Sequence, residues 1–169
     1  MKRLTLTAAV ALALPAFAQA AEITIVREVD SNNYDPHRAV ARAAAEVLFM
    51  LGDTLVSLNP DMQTIEPGVA KSWEVSEDGL TYTFNLREDV YFCDGKQMTA
   101  EDVAYSITRW VDPETKSPVA WRAGDVESVT AVDEFTVEYK LSEPISELLY
   151  QLTQSFGTII ESTKVEAMG

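Results

Sequence analysis

The side chains that could do chemistry in this chain are few, and their spacing argues against catalysis. The 169 residues hold one His, His37, and one Cys, Cys93. No His pair, Cys pair or Ser-His couple is therefore available to bind zinc or to activate a nucleophile. A single thiol also makes no internal disulfide and no paired-cysteine redox site. Carboxylates are abundant, with 27 Asp and Glu against 13 Lys and Arg. Glu101 with Asp102, and Glu127 with Asp133, are the pairs that an acid–base mechanism would nominate. A glycosidase needs two carboxyl groups across a cleft at a set separation. Here Glu101 and Asp102 follow Thr99 at a helix start and Asp133 sits in a turn, so each pair has a local explanation. A secreted carboxylate-pair hydrolase stays as the remote alternative to a chain that binds rather than reacts.

The elements that would position these residues begin with an export signal. Lys2 and Arg3 precede an apolar run over residues 4–17, and Ala18-Gln19-Ala20 is a small-x-small site, so cleavage is expected after Ala20. The apolar run is shorter than the 20 or so residues that a membrane span requires. Residues 1–20 thus read as a signal peptide and residues 21–169 as one region. Removing the signal leaves 11 basic against 27 acidic residues, a balance of −16. That surface repels phosphate backbones and anionic lipid, which argues against nucleic acid and membranes as partners. Cys93 lies far from the predicted mature N-terminus, which excludes a lipid-modified first cysteine.

Beyond the signal the hydrophobic pattern alternates between two periods. Residues 23–26 read as a first strand and residues 30–36 as turn chemistry. Over residues 37–51 the spacing of Val40, Ala44, Val47, Leu48 and Leu51 predicts a helix, stopped by Gly52. A strand is expected over residues 54–58. A hairpin follows, with Trp73 and Val75 on one arm, Leu80, Tyr82, Phe84 and Leu86 on the other, and Glu77-Asp78-Gly79 turning between them. Tyr91 and Phe92 read as a short strand. Thr99-x-x-Asp102 reads as a capping box before a helix carrying Val103, Ile107 and Trp110. A second hairpin spans residues 126–141, turned at Asp133-Glu134, and Pro144 opens a helix with Leu148, Leu149 and Leu152. The fold class is α+β, with mainly antiparallel hairpins and packed helices. Trp73, Tyr82, Phe84 and Tyr91 are expected in the core, Gly79 and Gly95 in turns, and the thiol of Cys93 buried.

A series of short stretches occurs in a fixed order. Tyr34-Asp35-Pro36-His37 is similar to a recurrent "LDPH" opening, and Asp53 to Val56 to "YETLV". Pro67 to Glu74 is similar to "PGLAESWE", and Ser76 to Arg87 to "SEDGLTYTFHLR". Phe92 to Gly95 is similar to "FHDG", with Cys93 at the histidine, and Thr99 to Val103 reads "TAEDV". Ser117 to Trp121, the second hairpin and Glu143-Pro144 follow in sequence. Together they resemble the extracytoplasmic solute-binding proteins, family 5, of ABC importers for peptides, nickel and related ligands.

The resemblance implies the N-terminal part of a two-lobed periplasmic binding protein of the class II type, ending before the second lobe. An isolated product of this length is then expected to bind ligand weakly or not at all. The implied function is capture of peptides or oligopeptides in the periplasm, without catalysis, and delivery to an inner-membrane permease and its ATPase. A monomer with no cofactor and no resident metal is expected. Family members line their ligand with loops at strand ends. By that analogy the ligand-contacting candidates are Val29, Asp30, Ser31, Asn32 and Asn33 after the first strand, and Gln154, Phe156 and Gly157 on the return segment. The amides suit a peptide backbone and Phe156 a ligand side chain. A sensor or chaperone of the same fold, or a carrier of nickel or another solute, is the alternative within the family.

Overall fold

The alternation in the two hairpins builds most of the described chain. The computed structural model describes residues 31 and 33–168; the expected signal peptide and the strand over residues 23–26 lie outside them. In chain order the elements are α1 (Arg42–Leu51), β1 (Val56–Leu58), β2 (Ile65–Pro67), β3 (Ala70–Val75), β4 (Thr81–Leu86), α2 (Ala100–Val111), β5 (Val126–Asp133), β6 (Thr136–Leu141), α3 (Leu148–Gln151) and α4 (Ser162–Met168). Strands β3 to β6 form one antiparallel sheet in the order β3-β4-β6-β5, so each hairpin contributes one central and one outer strand. Tyr82 faces Tyr139, and Phe84 faces Val137, across the central pair. With Leu86 and Leu141 these residues bury one face of the sheet, and α2 covers it with Val103, Ile107 and Trp110. Inside this layer the Tyr139 hydroxyl donates to the Ala123 carbonyl at 2.6 Å, and burial pushes its pKa well above the ordinary tyrosine range. Gly79 takes φ +72° in the first hairpin turn, where Asp78 accepts from the Leu80 N–H.

Thr99 and Asp102 cap α2 as the spacing predicts: the Asp102 carboxylate accepts from the Thr99 N–H at 3.2 Å. Several other expectations are corrected. α1 begins at Arg42, five residues later than the pattern implies. The Asp35 backbone carbonyl takes the Ala39 N–H at 2.8 Å, and its carboxylate takes the His37 N–H at 3.1 Å, which fixes residues 35–39 as a turn. Of its stripe only Ala44 and Leu48 are buried; Val40 and Leu51 are 60% and 69% exposed. The expected strand over residues 54–58 narrows to β1, because Thr54 pairs instead with Thr158. Its partner β2 has no counterpart in the sequence reading. The helix after Pro144 shrinks to the single turn of α3, ended where the Thr153 hydroxyl caps the Tyr150 carbonyl at 2.8 Å. Tyr91 is 59% exposed and Cys93 is exposed, against the expectation of burial. The cause is alternation on the bend closed by the Tyr91–Gln97 bridge: Phe92 turns its ring to the core, so both neighbours face out.

Candidate functional site

The return segment, α1 and the loop before β5 enclose two adjoining cavities. One, of about 220 Å³, is lined by Val40, Phe49, Val119, Arg122, Gln154 and Phe156 among others. The second, of about 430 Å³, shares Phe49 and Gln154 and extends past Thr54, Ser57, Met62 and Tyr150. Their lining carries exposed apolar side chains, Phe49, Met62 and Tyr150, and the exposed Trp121 ring stands beside Arg122.

Local geometry sets each of these side chains. The turn Ala120–Ala123 is anchored by buried Ala123, which directs Trp121 outward and Arg122 back across the cavity. The Arg122 guanidinium lies 4.7 Å from the Trp121 ring centroid and 5.6 Å from that of Phe156. Its Nη1 donates to Gln151 Oε1 at 3.0 Å. Phe156 in turn packs on Trp110, with centroids 5.1 Å apart, so one side of its ring belongs to the core and the other to the cavity. Gln154 is half-buried and donates to the Thr153 hydroxyl at 3.0 Å. Gly157 is needed where it stands, because a Cβ there would come within 3.0 Å of the Leu152 carbonyl oxygen.

Of the residues nominated from the sequence, Gln154 and Phe156 thus come together on the cavity wall, with Gly157 buried behind them. Val29, Asp30 and Asn32 lie outside the described residues. Ser31 and Asn33 line neither cavity. The Ser31 hydroxyl donates to the Asn33 carbonyl at 2.9 Å, and Asn33 Oδ1 accepts from the Asp35 N–H at 2.9 Å, as in a local turn. Trp121 and Arg122 were missed from the sequence. Their signal is a Trp-Arg pair inside a Pro- and Gly-bounded loop, where a large aromatic side chain has no periodic reason to be.

The remaining charged groups hold the fold. Arg109 grips Asp35 with two bonds, Nη1 to Oδ1 at 3.0 Å and Nη2 to Oδ2 at 2.7 Å. Burial opposes ionisation of Asp35, but the Arg109 bonds and charge outweigh it and keep its pKa low. The same Nη1 lies 2.8 Å from His37 Nδ1, and burial together with the Arg109 charge pulls the His37 pKa down to about 4. His37 is therefore a neutral acceptor locking residues 35–39 onto α2, not a base for catalysis. Asp102 is buried among Lys96, Thr99 and Ser162, Glu127 pairs with Lys140 at 3.6 Å, and Asp133 caps the Phe135 N–H at 2.9 Å. Among the described residues no three His, Cys, Asp or Glu side chains are grouped to hold a metal ion.

The profile of the family described as "Bacterial extracellular solute-binding proteins, family 5 Middle" matches residues 64–168. The chain is 30% identical to the di/tripeptide-binding protein 2 of Pseudomonas aeruginosa, over 86% of its own length and 31% of that protein's. It superposes on Haemophilus influenzae OppA in complex with the peptide RPPGFSPFR with a TM-score of 0.75 at 27% identity, covering 80% of this chain and 30% of that one. Against MoaA of A. tumefaciens R10 in complex with mannopinic acid, the TM-score is 0.76 at 31% identity, covering 83% and 29%. The chain spans about a third of the length of the relatives it matches.

Proposed function

We infer what the chain does from one premise: it belongs to the bacterial extracellular solute-binding proteins, family 5. We propose that it captures a small solute outside the cytoplasm and presents it to an ABC permease and its ATPase in the inner membrane. Peptides are the leading ligand class, in keeping with the di/tripeptide- and peptide-bound relatives. The observation that carries this reading is the paired cavity, whose apolar rim surrounds a polar interior at Gln154 and Arg122. Pockets for small ligands combine apolar walls with a few placed polar groups in this way. Phe156 and Trp121 offer rings to a ligand side chain, and Gln154 offers an amide to a peptide bond. We also propose ligand contacts for the loop of Val29, Asp30, Ser31, Asn32 and Asn33, of which Ser31 and Asn33 line neither cavity, and for Gly157 on the return segment. We propose that residues 1–20 direct export, with cleavage after Ala20, and that the mature protein acts in the periplasm.

Calorimetry with a panel of di- and tripeptides tests this on the complete gene product that carries the sequence. Saturable binding that is lost in Trp121→Ala or Gln154→Ala is expected. Full retention of affinity in both variants would place the ligand elsewhere. Genes for a permease and an ATPase beside this one separate an importer from a sensor or chaperone built on the same fold.

A further inference from the structure

Among the described residues Arg38, Lys116 and Arg122 have no ion pair, and of these Arg122 lines the smaller cavity. Lys71, Arg87, Lys96, Arg109, Lys140 and Lys164 each lie within ion-pair distance of a carboxylate. Arg122 does not. It is half-buried, its Nη1 is satisfied by the neutral Gln151 amide, and its Nε is buried without an acceptor. Among the described residues Nη2 has no acceptor either. The carboxylate nearest in this network, Glu147, reaches only the far side of the Gln151 amide, at 3.4 Å. In a protein of net charge −14, acidic partners are plentiful, yet none among the described residues meets this guanidinium. Two aromatic rings hold it in place and leave its hydrogen-bonding capacity open toward a space of about 220 Å³. Withdrawing a guanidinium from water without a counter-charge is unfavourable, and a planar fork of donors matches a carboxylate.

We propose that the transported solute carries a carboxylate that docks on Arg122, between the Trp121 and Phe156 rings. The inference rests on the solute-binding reading and narrows it to acids: peptides bound through a free C-terminus, or other organic carboxylates. One carboxylate oxygen takes Nη2, and the carbon chain behind it lies along Phe49 and Val40.

The test compares an acid with its neutral isostere on the complete gene product. Trp121 fluorescence is titrated with 3-phenylpropionate and with 3-phenylpropionamide, using Trp121→Phe to identify the signal. Calorimetry compares trialanine with trialanine amide. A charge-assisted contact predicts at least about tenfold weaker binding of each amide. Arg122→Gln removes the difference. Comparison of acid and amide on the unaltered protein needs no variant, so a misfolded Arg122→Gln leaves the proposal testable. Equal binding of trialanine and its amide overturns the carboxylate assignment while solute binding stands. Arg122-dependent binding of phenylpropionate without any binding of trialanine keeps the acid subsite and removes the peptide reading. No response to phenylpropionate, or a response unchanged in Arg122→Gln, overturns it.

Discussion

Asp102 ties the start of α4 to the start of α2 and to the bend before it, and its removal has a calculable cost. Its side chain is fully buried and accepts from Lys96 Nζ at 2.9 Å, the Ser162 hydroxyl at 2.8 Å, the Ser162 N–H at 3.1 Å and the Thr99 N–H at 3.2 Å. Asp102→Asn removes the charge and turns an amide N–H toward groups that are themselves donors. Breaking a buried pair costs about 3–5 kcal/mol when the survivor stays buried. The Lys96 side chain is 33% exposed and returns partly to water, so the lower end, about 3 kcal/mol, applies. For a domain of this size that shifts Tm by about 6–12 °C. Burial acts to raise the Asp102 pKa, but the bonds from Lys96, Ser162 and Thr99 outweigh it and hold it below the ordinary carboxylate value. A depressed carboxylate stabilises the fold above the unfolded pKa, near 3.9, and that contribution is lost as pH falls through the folded value. Thermal melts by circular dichroism should therefore separate the two proteins fully at pH 7 and draw them together below about pH 4. A Tm difference under about 1 °C at pH 7, or one that persists undiminished at pH 2.5, would refute the reasoning.

His37 gives a second pH dependence. Its folded pKa of about 4 lies below the ordinary 6.5, so between those values the unfolded chain takes up a proton that the folded one refuses. Stability should fall as pH drops through that window by up to about 3 kcal/mol, and His37→Gln should flatten this part of a urea-midpoint profile. Gly68→Ala places a Cβ 2.5 Å from the Thr54 carbonyl oxygen and 3.0 Å from that of Leu55. Both contacts are backbone, so a loss of about 1–3 kcal/mol by chemical denaturation is expected. Gly95→Ala, which meets open space, should cost only about 1–2 kcal/mol for its positive φ. Cys93 should react stoichiometrically with a thiol reagent in native buffer, and Cys93→Ser should leave stability within about 0.5 kcal/mol.

The parts of the fold legible in the sequence are those whose cause is local. Leu80 to Leu86 and Phe135 to Leu141 alternate because one face is buried, and Thr99-x-x-Asp102 carries its own cap. Tertiary contacts overrode the rest. Residues 37–41 have helical spacing, but Asp35 captures the N–H groups of His37, Arg38 and Ala39, and Arg109, 74 positions away, captures Asp35. β2 is three residues long and exists only because β1 pairs with it. At the candidate site, Gln154 and Phe156 were named through a resemblance. Trp121 and Arg122 join them only because the Tyr139–Ala123 bond seats their turn against the core. No periodicity reports a contact of that kind.

The four-stranded sheet and α2 lie within one uninterrupted stretch, from Ala70 to Leu141. The flanking segments depend on each other as well as on that stretch. Thr54 bridges to Thr158, the Ile159 N–H donates to the Asp53 carbonyl at 2.9 Å, and the Ile160 N–H donates to the Ser106 hydroxyl at 3.0 Å. This nesting imposes an order of assembly. The inner stretch closes through contacts of short sequence separation, while the outer layer must bring together residues about a hundred positions apart, at a greater loop-closure cost. On a chain emerging N-terminus first, the cavity wall at Gln154–Phe156 is therefore completed after the sheet and α2. Until then α1 presents Ala44 and Leu48, which are buried in the finished fold, to solvent, and the growing chain is most exposed to misassociation during that interval.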